Sequence, residues 1–335
     1  MSAGPGTNKR PINADWRPGA GIEALRARAA MLADLRRYFA AAEVLEVETP
    51  LAGTSAGTDP ALQPLRAHYQ GPIFPRGSDL YLQTSPEFAM KRLLAAGSGA
   101  IYQICKAFRD GEAGRLHNPE FTILEWYRPG FDIAQLMTEV ATVARLALDR
   151  PDIEVEQRSY REVFESVLAI DVLDATAEDL RQVALHSHVL GAEGMDLTRD
   201  GWLDLLMSHL VQPSLGVDRL CFVTDYPASQ AALAILNPDG RTAARFELFF
   251  HGIELANGFH ELTDAGEQAA RFEADNCQRR AQGLAPIRVD RGLLGALQHG
   301  LPDCSGVAVG LDRLLMLRLG VGDIDAVLSF SLQRS

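Results

Sequence analysis

Two stretches of this chain, residues 100–109 and 120–128, constrain its fold most strongly. Both are long enough for a β-strand, and the polar residues 110–119 between them predict that the two strands form a hairpin. Helical patterns occupy residues 22–42, 132–210 and 265–282. Shorter strands are predicted at residues 44–47, 80–83, 219–224, 245–251, 253–256 and 307–310. Hairpins interrupted irregularly by helices indicate an α+β fold, with an antiparallel β-sheet flanked by helices, rather than regular βαβ winding.

The composition limits the classes of protein to which this chain can belong. Its 335 residues are 47% hydrophobic and 23% charged, which is typical of a globular protein with a large core. No apolar run reaches the roughly 18–20 residues of a membrane span, so no membrane partner is expected. The net charge of -12 argues against a broad nucleic-acid-binding surface, which needs a basic field.

The N-terminal residues and the cysteines indicate the compartment. Residues 1–14 are polar and rich in Gly and Pro, and they lack the apolar segment of a signal peptide, so we expect a flexible tail. The remaining residues, 15–335, are predicted to form one domain. The four cysteines stand alone, without a C-x-x-C pair, and this predicts reduced thiols in a cytoplasmic protein.

The predicted hairpin carries a set of functional side chains. Arg109 ends the outgoing strand, and Phe121, Glu125 and Tyr127 share one face of the return strand. A guanidinium binds phosphate through two hydrogen bonds, and an aromatic ring can stack on a base. A buried carboxylate beside a tyrosine can hold an ammonium group. The same residues also fit a hairpin with a salt bridge and core aromatics, so the pattern alone leaves both interpretations open.

A second segment, residues 252–264, reads G-I-E-L-A-N-G-F-H-E-L-T-D. Its Asn257-Gly258 pair predicts a tight turn that would bring Glu254 and Glu261 together. Two carboxylates beside a triphosphate can hold Mg²⁺, although solvated acids on a surface hairpin would give the same pattern. A zinc-protease H-E-x-x-H motif is excluded because Asp264 stands at the position of the second histidine.

A third segment, residues 306–314, reads G-V-A-V-G-L-D-R-L. Its glycines allow a backbone to approach a ligand closely, and Asp312 and Arg313 then begin a helix whose amide end favours anions. Taken without the other two segments, this pattern favours an ordinary connection from a Gly-rich strand to a helix.

Together these segments resemble the catalytic motifs of the class II aminoacyl-tRNA synthetases in their lysyl form. Residues 108–127 are similar to motif 2 and residues 306–314 to motif 3. The predicted helix at 22–42, followed by V-L-E-V-E-T-P at 44–50, resembles motif 1, the dimer-interface element. The resemblance implies a class II catalytic domain over residues 15–335, the use of ATP and Mg²⁺, and a homodimer.

The resemblance also implies roles for individual residues. Arg109 would hold the α-phosphate, Phe121 would stack on the adenine, and Arg313 would pack on the adenine and reach the terminal phosphate. The implied ATP-binding residues are Arg109, Asp110, Gly111, His117, Asn118, Phe121, Glu254, Leu255, Gly310 and Arg313. The implied residues for the amino-acid substrate are Ser85, Pro86, Glu87, Glu125, Tyr127, Asn257, Glu261 and Ala308. The implied metal ligands are Glu254 and Glu261.

The chain departs from the lysyl pattern at two positions. The family usually has an acid two residues after the motif 2 arginine, where this chain has Gly111 followed by Glu112. Either the loop presents Glu112 instead, or only backbone contacts remain at Gly111. Ala308 stands where lysyl-tRNA synthetases tend to have glycine, and its methyl group would reshape the amino-acid pocket near the backbone of the substrate.

Within the lysyl group, the chain resembles the stand-alone paralogues that modify translation elongation factor P. Only about twenty residues precede the motif 1 helix, where a lysyl-tRNA synthetase carries an anticodon-binding domain. The phrases M-K-R-L-L, I-E-L-A-N-G-F-H-E-L-T-D and P-D-C-S-G-V-A match these paralogues. The resemblance implies adenylation of lysine or (R)-β-lysine and its transfer to elongation factor P, not to tRNA.

Three alternatives remain open from the sequence. The chain could be a truncated lysyl-tRNA synthetase, an adenylating enzyme that supplies a small-molecule pathway, or a non-catalytic synthetase-like binding module. The sequence does not decide between α- and β-lysine, the docking surface for the acceptor protein or the number of metal ions.

Overall fold

A mixed, mostly antiparallel sheet forms the centre of the molecule. The structure is a computed structural model that describes residues 16–335. In this part of the chain, eight strands are arranged in the order β1-β5-β6-β11-β10-β9-β8-β7. Their bounds are β1 Leu45–Glu46, β5 Ile101–Phe108, β6 Glu120–Pro129, β7 Val155–Ser159, β8 Leu220–Pro227, β9 Thr242–Phe250, β10 Ile253–His260 and β11 Cys304–Gly310. The two end pairs, β1 with β5 and β7 with β8, are parallel, and the other pairs are antiparallel.

A small second sheet stands beside the first. Its strands are β2 Ala52–Gly53, β3 Arg66–Gly71 and β4 Phe74–Leu82, in the order β2-β4-β3. The segment that follows β2 lines one side of the main cleft of the molecule.

Helices cover both faces of the large sheet. Their bounds are α1 Ile22–Ala41, α2 Glu87–Ala95, α3 Ile133–Leu148, α4 Tyr160–Leu168, α5 Ala177–His186, α6 Arg199–Leu206, α7 Ala265–Ala281, α8 Arg291–Gly300 and α9 Leu311–Leu319. On one face α1, α3 and α9 bury Leu35, Val140 and Leu314 against the sheet. On the other face, α4 to α6 form one apolar cluster with β8 and β9, and α2 and α8 form another. None of the described helices has the length and apolar character needed to cross a membrane.

The α+β prediction is confirmed, and so is the hairpin of β5 and β6. The predicted helix at 22–42 corresponds to α1. The stretch predicted to be mostly helical also contains β7, whose sequence V-E-Q-R-S has no apolar face to mark it as a strand. The predicted flexible tail, residues 1–14, lies outside the described residues.

The turn predicted at Asn257-Gly258 is wrong. Both residues lie inside β10, where Asn257 pairs with a residue of β9 on one side and of β11 on the other. The turn between β9 and β10 is formed by His251 and Gly252, which both have positive φ angles, as a two-residue hairpin loop requires. Gly258 is needed for another reason: a Cβ there would lie 2.3 Å from the ring of Phe246.

One buried carboxylate joins three distant parts of the chain. Asp312, at the start of α9, accepts a hydrogen bond from the guanidinium of Arg28 on α1. Its other oxygen accepts a hydrogen bond of 2.7 Å from the backbone N–H of Thr122 on β6. The segments that resemble motifs 1, 2 and 3 are therefore held together at a single side chain.

Candidate active site

The functional face of the hairpin continues across the middle of the sheet. Glu125 on β6 lies opposite Gln103 on β5 and opposite Ala308 on β11. Asn257 on β10 lies on the far side of Ala308. Because directly paired residues point to the same face of a sheet, these four side chains form one row. Two members of the row, Asn257 and Ala308, line an open cleft of about 1870 Å³.

Glu125 is held by two hydroxyl groups. The Tyr127 hydroxyl donates a hydrogen bond of 2.7 Å to one of its oxygens, and the Ser85 hydroxyl donates one of 2.8 Å to the other. Ser85 also accepts a hydrogen bond of 3.0 Å from the backbone N–H of Glu87, so it supports the first turn of α2. The prediction that these four residues belong to one site therefore agrees with their geometry.

A buried lysine, which the sequence analysis missed, completes this pocket. The Nζ of Lys91 lies 2.7 Å from a carboxylate oxygen of Glu87 and 2.5 Å from one of Glu261. Burial lowers the pKa of Lys91, but the attraction of these two carboxylates outweighs burial and raises the pKa above its usual range. The sequence indicated the contact between Lys91 and Glu87, because side chains four residues apart meet on one side of a helix.

The pocket contains more carboxylates than cations. Glu87, Glu125 and Glu261 face one lysine among the described residues around them. Burial, with the negative charge of Glu87, raises the pKa of Glu125 to about 8. A cationic ligand would relieve this repulsion, so the arrangement suits a substrate that brings an ammonium group.

Gly306 forms the floor of the pocket. It is paired with Tyr127, and a Cβ at this position would lie 2.3 Å from the tyrosine ring and 2.6 Å from a carboxylate oxygen of Glu261. Any larger residue would push the ring or the carboxylate away. A glycine at this position is therefore a steric requirement of the pocket.

A second group of side chains, at the end of the site predicted to bind the nucleotide, is built around Arg109. Its guanidinium lies 5.0 Å from the centre of the Phe121 ring and 3.6 Å from a carboxylate oxygen of Glu112. Gly111 has a φ angle of 79°, and this turns the chain so that Glu112 points back to the arginine. The structure thus places the Glu112 carboxylate beside Arg109, and a role of Glu112 in place of the acid missing at Gly111 stays a prediction.

Arg313 stands beside this group at the start of α9. It donates a hydrogen bond of 3.0 Å to the backbone oxygen of Glu254, and its Nη1 lies 3.5 Å from the Glu254 carboxylate. Its Nη2 lies 2.7 Å from Nε2 of His117. Burial and the charge of Arg313 lower the pKa of His117, so the neutral ring accepts this hydrogen bond.

A β-bulge decides which way Glu254 points. The pairing of β10 with β9 shifts between Glu254 and Ala256, so Leu255 and Ala256 both enter the core on the opposite face. Glu254 is thereby placed on the same face as Asn257. The side chain of Leu255 consequently cannot contact ATP, and only its backbone remains available for the predicted role.

Three other residues predicted to bind ATP have surroundings that the structure defines. Both polar ends of the Asn118 side chain are bonded to backbone groups, of Glu120 and Leu332, so its contribution is structural. Asp110 is exposed, and its backbone N–H donates a hydrogen bond of 2.7 Å to Gln63. Gly310 precedes α9 and lies next to Arg313.

The two predicted metal ligands do not converge. Glu254 and Glu261 are seven residues apart along the same extended segment, and this separates their Cα atoms by roughly 20 Å. Within residues 16–335 no group of three or more His, Cys, Asp or Glu side chains could hold a metal ion. Glu254 is partly exposed at the nucleotide end and suits Mg²⁺ bound to phosphates, whereas the buried Glu261 is paired with Lys91 and does not.

This fold and site define a nucleotide-dependent enzyme that activates an amino acid. The family model of the class II tRNA synthetases (D, K and N) matches residues 12–334. The chain belongs to this family, whose members use ATP and Mg²⁺. Membership in this family supports a general activity for the chain, that of an ATP-dependent amino-acid ligase.

Proposed function

We propose that this protein is an elongation factor P–(R)-β-lysine ligase. In this proposal it adenylates (R)-β-lysine, or lysine, and transfers the acyl group to the ε-amine of one lysine of translation elongation factor P. The observation that carries the choice of a lysine isomer is the buried pocket of Glu87, Glu125 and Glu261 with the single cation of Lys91.

The charge of the pocket supports a diamino acid over the other substrates of the family. A diamino acid brings two ammonium groups, which match the surplus carboxylates around Glu125. Aspartate would add a further negative charge, and asparagine would bring no second ammonium group to replace the proton of Glu125 and pair with its carboxylate. Ala308 is paired directly with Glu125, so its methyl group narrows the pocket beside that carboxylate. The choice of the β-isomer rests on the resemblance of the sequence to the paralogues that modify elongation factor P.

The proposed reaction has two steps. A carboxylate oxygen of the lysine attacks the α-phosphorus of ATP, the bond to pyrophosphate breaks, and Arg109 stabilises the charge that develops. The free ε-amine of the acceptor then attacks the acyl carbon, the bond to AMP breaks, and the amine loses a proton as the amide forms. Glu254 would hold Mg²⁺, which supplies positive charge near the phosphates when bound.

Pyrophosphate exchange tests the first step. Exchange should depend on a lysine isomer and not on aspartate or asparagine. Arg109→Ala should slow it by roughly 10²- to 10³-fold, the scale for removing one donor to developing charge. Arg76→Ala, which removes an exposed arginine on β4, is the control. Exchange at the wild-type rate in Arg109→Ala would overturn the site, and its absence in the wild type would favour a non-catalytic module.

A comparison of acceptors tests the second step. Purified elongation factor P and tRNA-Lys are each incubated with the enzyme, ATP and labelled α- or β-lysine. We expect mass spectrometry to show modified elongation factor P, with little charging of the tRNA. Efficient charging of tRNA without modification of the protein would favour a minimal lysyl-tRNA synthetase.

We also propose that the protein is a homodimer. Apolar side chains are exposed in the segment that resembles motif 1, where Ile22 is 60% and Leu45 is 57% accessible to solvent. A second copy of this segment would cover them.

A further inference from the structure

Helix α6 presents an acidic face to the same cleft. Asp200 and Asp204 are four residues apart, so they lie on one side of the helix, and both line the cleft. The other side of α6 is anchored by Trp202, Leu203 and Leu206, which are buried in the core. The position of the acidic face is therefore set by the packing of the helix.

Within residues 16–335, the Asp204 carboxylate forms no ion pair with a cation. One of its oxygens accepts a hydrogen bond of 2.8 Å from the Gln230 side chain. Solvent reaches the carboxylate through the cleft, but the surrounding protein raises its pKa to about 6. Arg245 opposes this rise, yet its guanidinium is already bound to Glu247 at 2.5 Å and to the backbone oxygen of Gln230 at 2.7 Å.

A buried hydroxyl next to Asp204 lacks a partner. Tyr160 lines the cleft with only 1% of its surface accessible, and among the described residues nothing forms a hydrogen bond with its hydroxyl. The negative charge of Asp204 adds to the effect of burial in raising the pKa of Tyr160, and both residues line the cleft. The aromatic rings of Tyr160 and Tyr226 lie 4.7 Å apart at the same place. An unpaired buried hydroxyl indicates a group that a ligand completes.

The acidic face is connected to the amino-acid pocket along one wall of the cleft. Gln230 binds Asp204, and Arg245 binds the backbone of Gln230. The Nε of Arg245 then donates a hydrogen bond of 3.2 Å to Asn257, which is paired with Ala308 at the centre of the site. A ligand at Asp204 is thus separated from the reacting end of the cleft by two side chains.

We propose that Asp204, Asp200 and Tyr160 form a second cation subsite, which binds an alkylammonium group of the polypeptide acceptor. The carboxylates supply charge, the hydroxyl oxygen accepts a further hydrogen bond, and the aromatic faces favour a cation. The subsite positions the acceptor and takes no part in the bonds that form or break. This inference rests on the proposed function, because it requires a polypeptide acceptor that carries a second alkylammonium group beside the reacting lysine.

The test compares two nucleophiles acting on the enzyme-bound adenylate. N-acetyl-Lys-Lys-amide carries two lysine amines, so one can attack the adenylate while the other stays an ammonium group in the subsite, whereas hydroxylamine is a small and largely uncharged nucleophile. In Asp204→Asn, the KM for N-acetyl-Lys-Lys-amide should rise by roughly 10- to 100-fold, the range for losing a hydrogen bond to a charged group. The rate of trapping by hydroxylamine and the rate of pyrophosphate exchange should stay within about twofold of the wild type. Asp152→Asn, which changes an exposed carboxylate outside the cleft, is the matched control.

A second variant guards against a folding defect. Tyr160→Phe keeps the ring and removes only the hydroxyl, and it should raise the same KM by a smaller factor. An unchanged KM in Asp204→Asn would overturn the subsite. A parallel loss of pyrophosphate exchange would also overturn it, because Asp204 would then serve the amino acid. If the wild type shows no exchange with any lysine isomer, the proposed function itself fails.

Discussion

Replacement of Gly306 by alanine should disrupt the amino-acid pocket from below. The added carbon would lie 2.3 Å from two carbons of the Tyr127 ring, whereas carbon atoms in contact are normally about 3.5–4.0 Å apart. The ring must therefore move by more than about 1 Å. Tyr127 is buried, and its hydroxyl holds Glu125 at 2.7 Å, so this movement breaks the hydrogen bond as well.

The expected loss of stability follows from these two effects. Overpacking a well-packed interior costs about 1–3 kcal/mol. Loss of the hydrogen bond to Glu125 adds about 1 kcal/mol. We therefore expect Gly306→Ala to lower the free energy of unfolding by about 2–4 kcal/mol.

Gly310, on the same strand, offers the matched control for stability. A Cβ at Gly310 would meet only the Cδ of Arg313, at an ordinary distance of 3.8 Å. Urea unfolding should therefore place Gly310→Ala within about 0.5 kcal/mol of the wild type. In pyrophosphate exchange, Gly306→Ala should raise the KM for lysine more than the KM for ATP, because the clash lies under the amino acid. Equal stability of the two variants, with an unchanged KM for lysine, would refute this reasoning.

Three further predictions concern charge and assembly. Lys91→Met leaves buried carboxylates without their cation, so urea unfolding should show a loss of about 3–5 kcal/mol. Burial raises the pKa values of Glu125 and Glu261 to about 8, so both carboxylates bind a proton more readily in the native state than in the unfolded chain between about pH 4.5 and about pH 8. The free energy of unfolding should therefore fall as pH rises through this window, and Glu125→Gln should flatten that slope. Sedimentation should give twice the mass of 36.5 kDa, and Leu45→Glu should shift it to the monomer.

Each of these predictions has a contrary outcome. Wild-type stability of Lys91→Met would mean that the carboxylates are already protonated. An equally steep pH slope in Glu125→Gln would assign the proton to another group. A monomer at micromolar concentration would contradict the dimer.

The sequence predicted the hairpin well because its information is local. Side chains point to opposite faces in turn along β6, so Glu125 and Tyr127, which are two residues apart, share one face. Tertiary pairing overrode local preference at Asn257-Gly258, where strands on both sides keep a turn dipeptide extended. The β-bulge at Leu255 could not be predicted from the alternation of polar and apolar residues in the sequence. This bulge nevertheless moves the Glu254 side chain to the opposite face of the sheet.

Lys91 shows a second limit on what can be predicted from the sequence. Its helix position relative to Glu87 is a local signal, but its shorter ion pair is with Glu261, which is 170 positions away. Whether a lysine on a helix is solvated or buried depends on which distant strand packs over it. The charge balance of the pocket, on which the choice of substrate rests, was therefore accessible only from the assembled fold.

The position of β11 between β6 and β10 has a consequence for biosynthesis. The first residue of β11, Cys304, follows the last residue of β6, Pro129, by 175 positions. At a translation rate of about 5–20 residues per second, one edge of β6 stays unpaired on the ribosome for roughly 9–35 s. An open strand edge is a template for incorrect pairing with other chains. The yield of folded protein in a cell should therefore depend on translation speed and on chaperones that shield this edge until β11 is inserted.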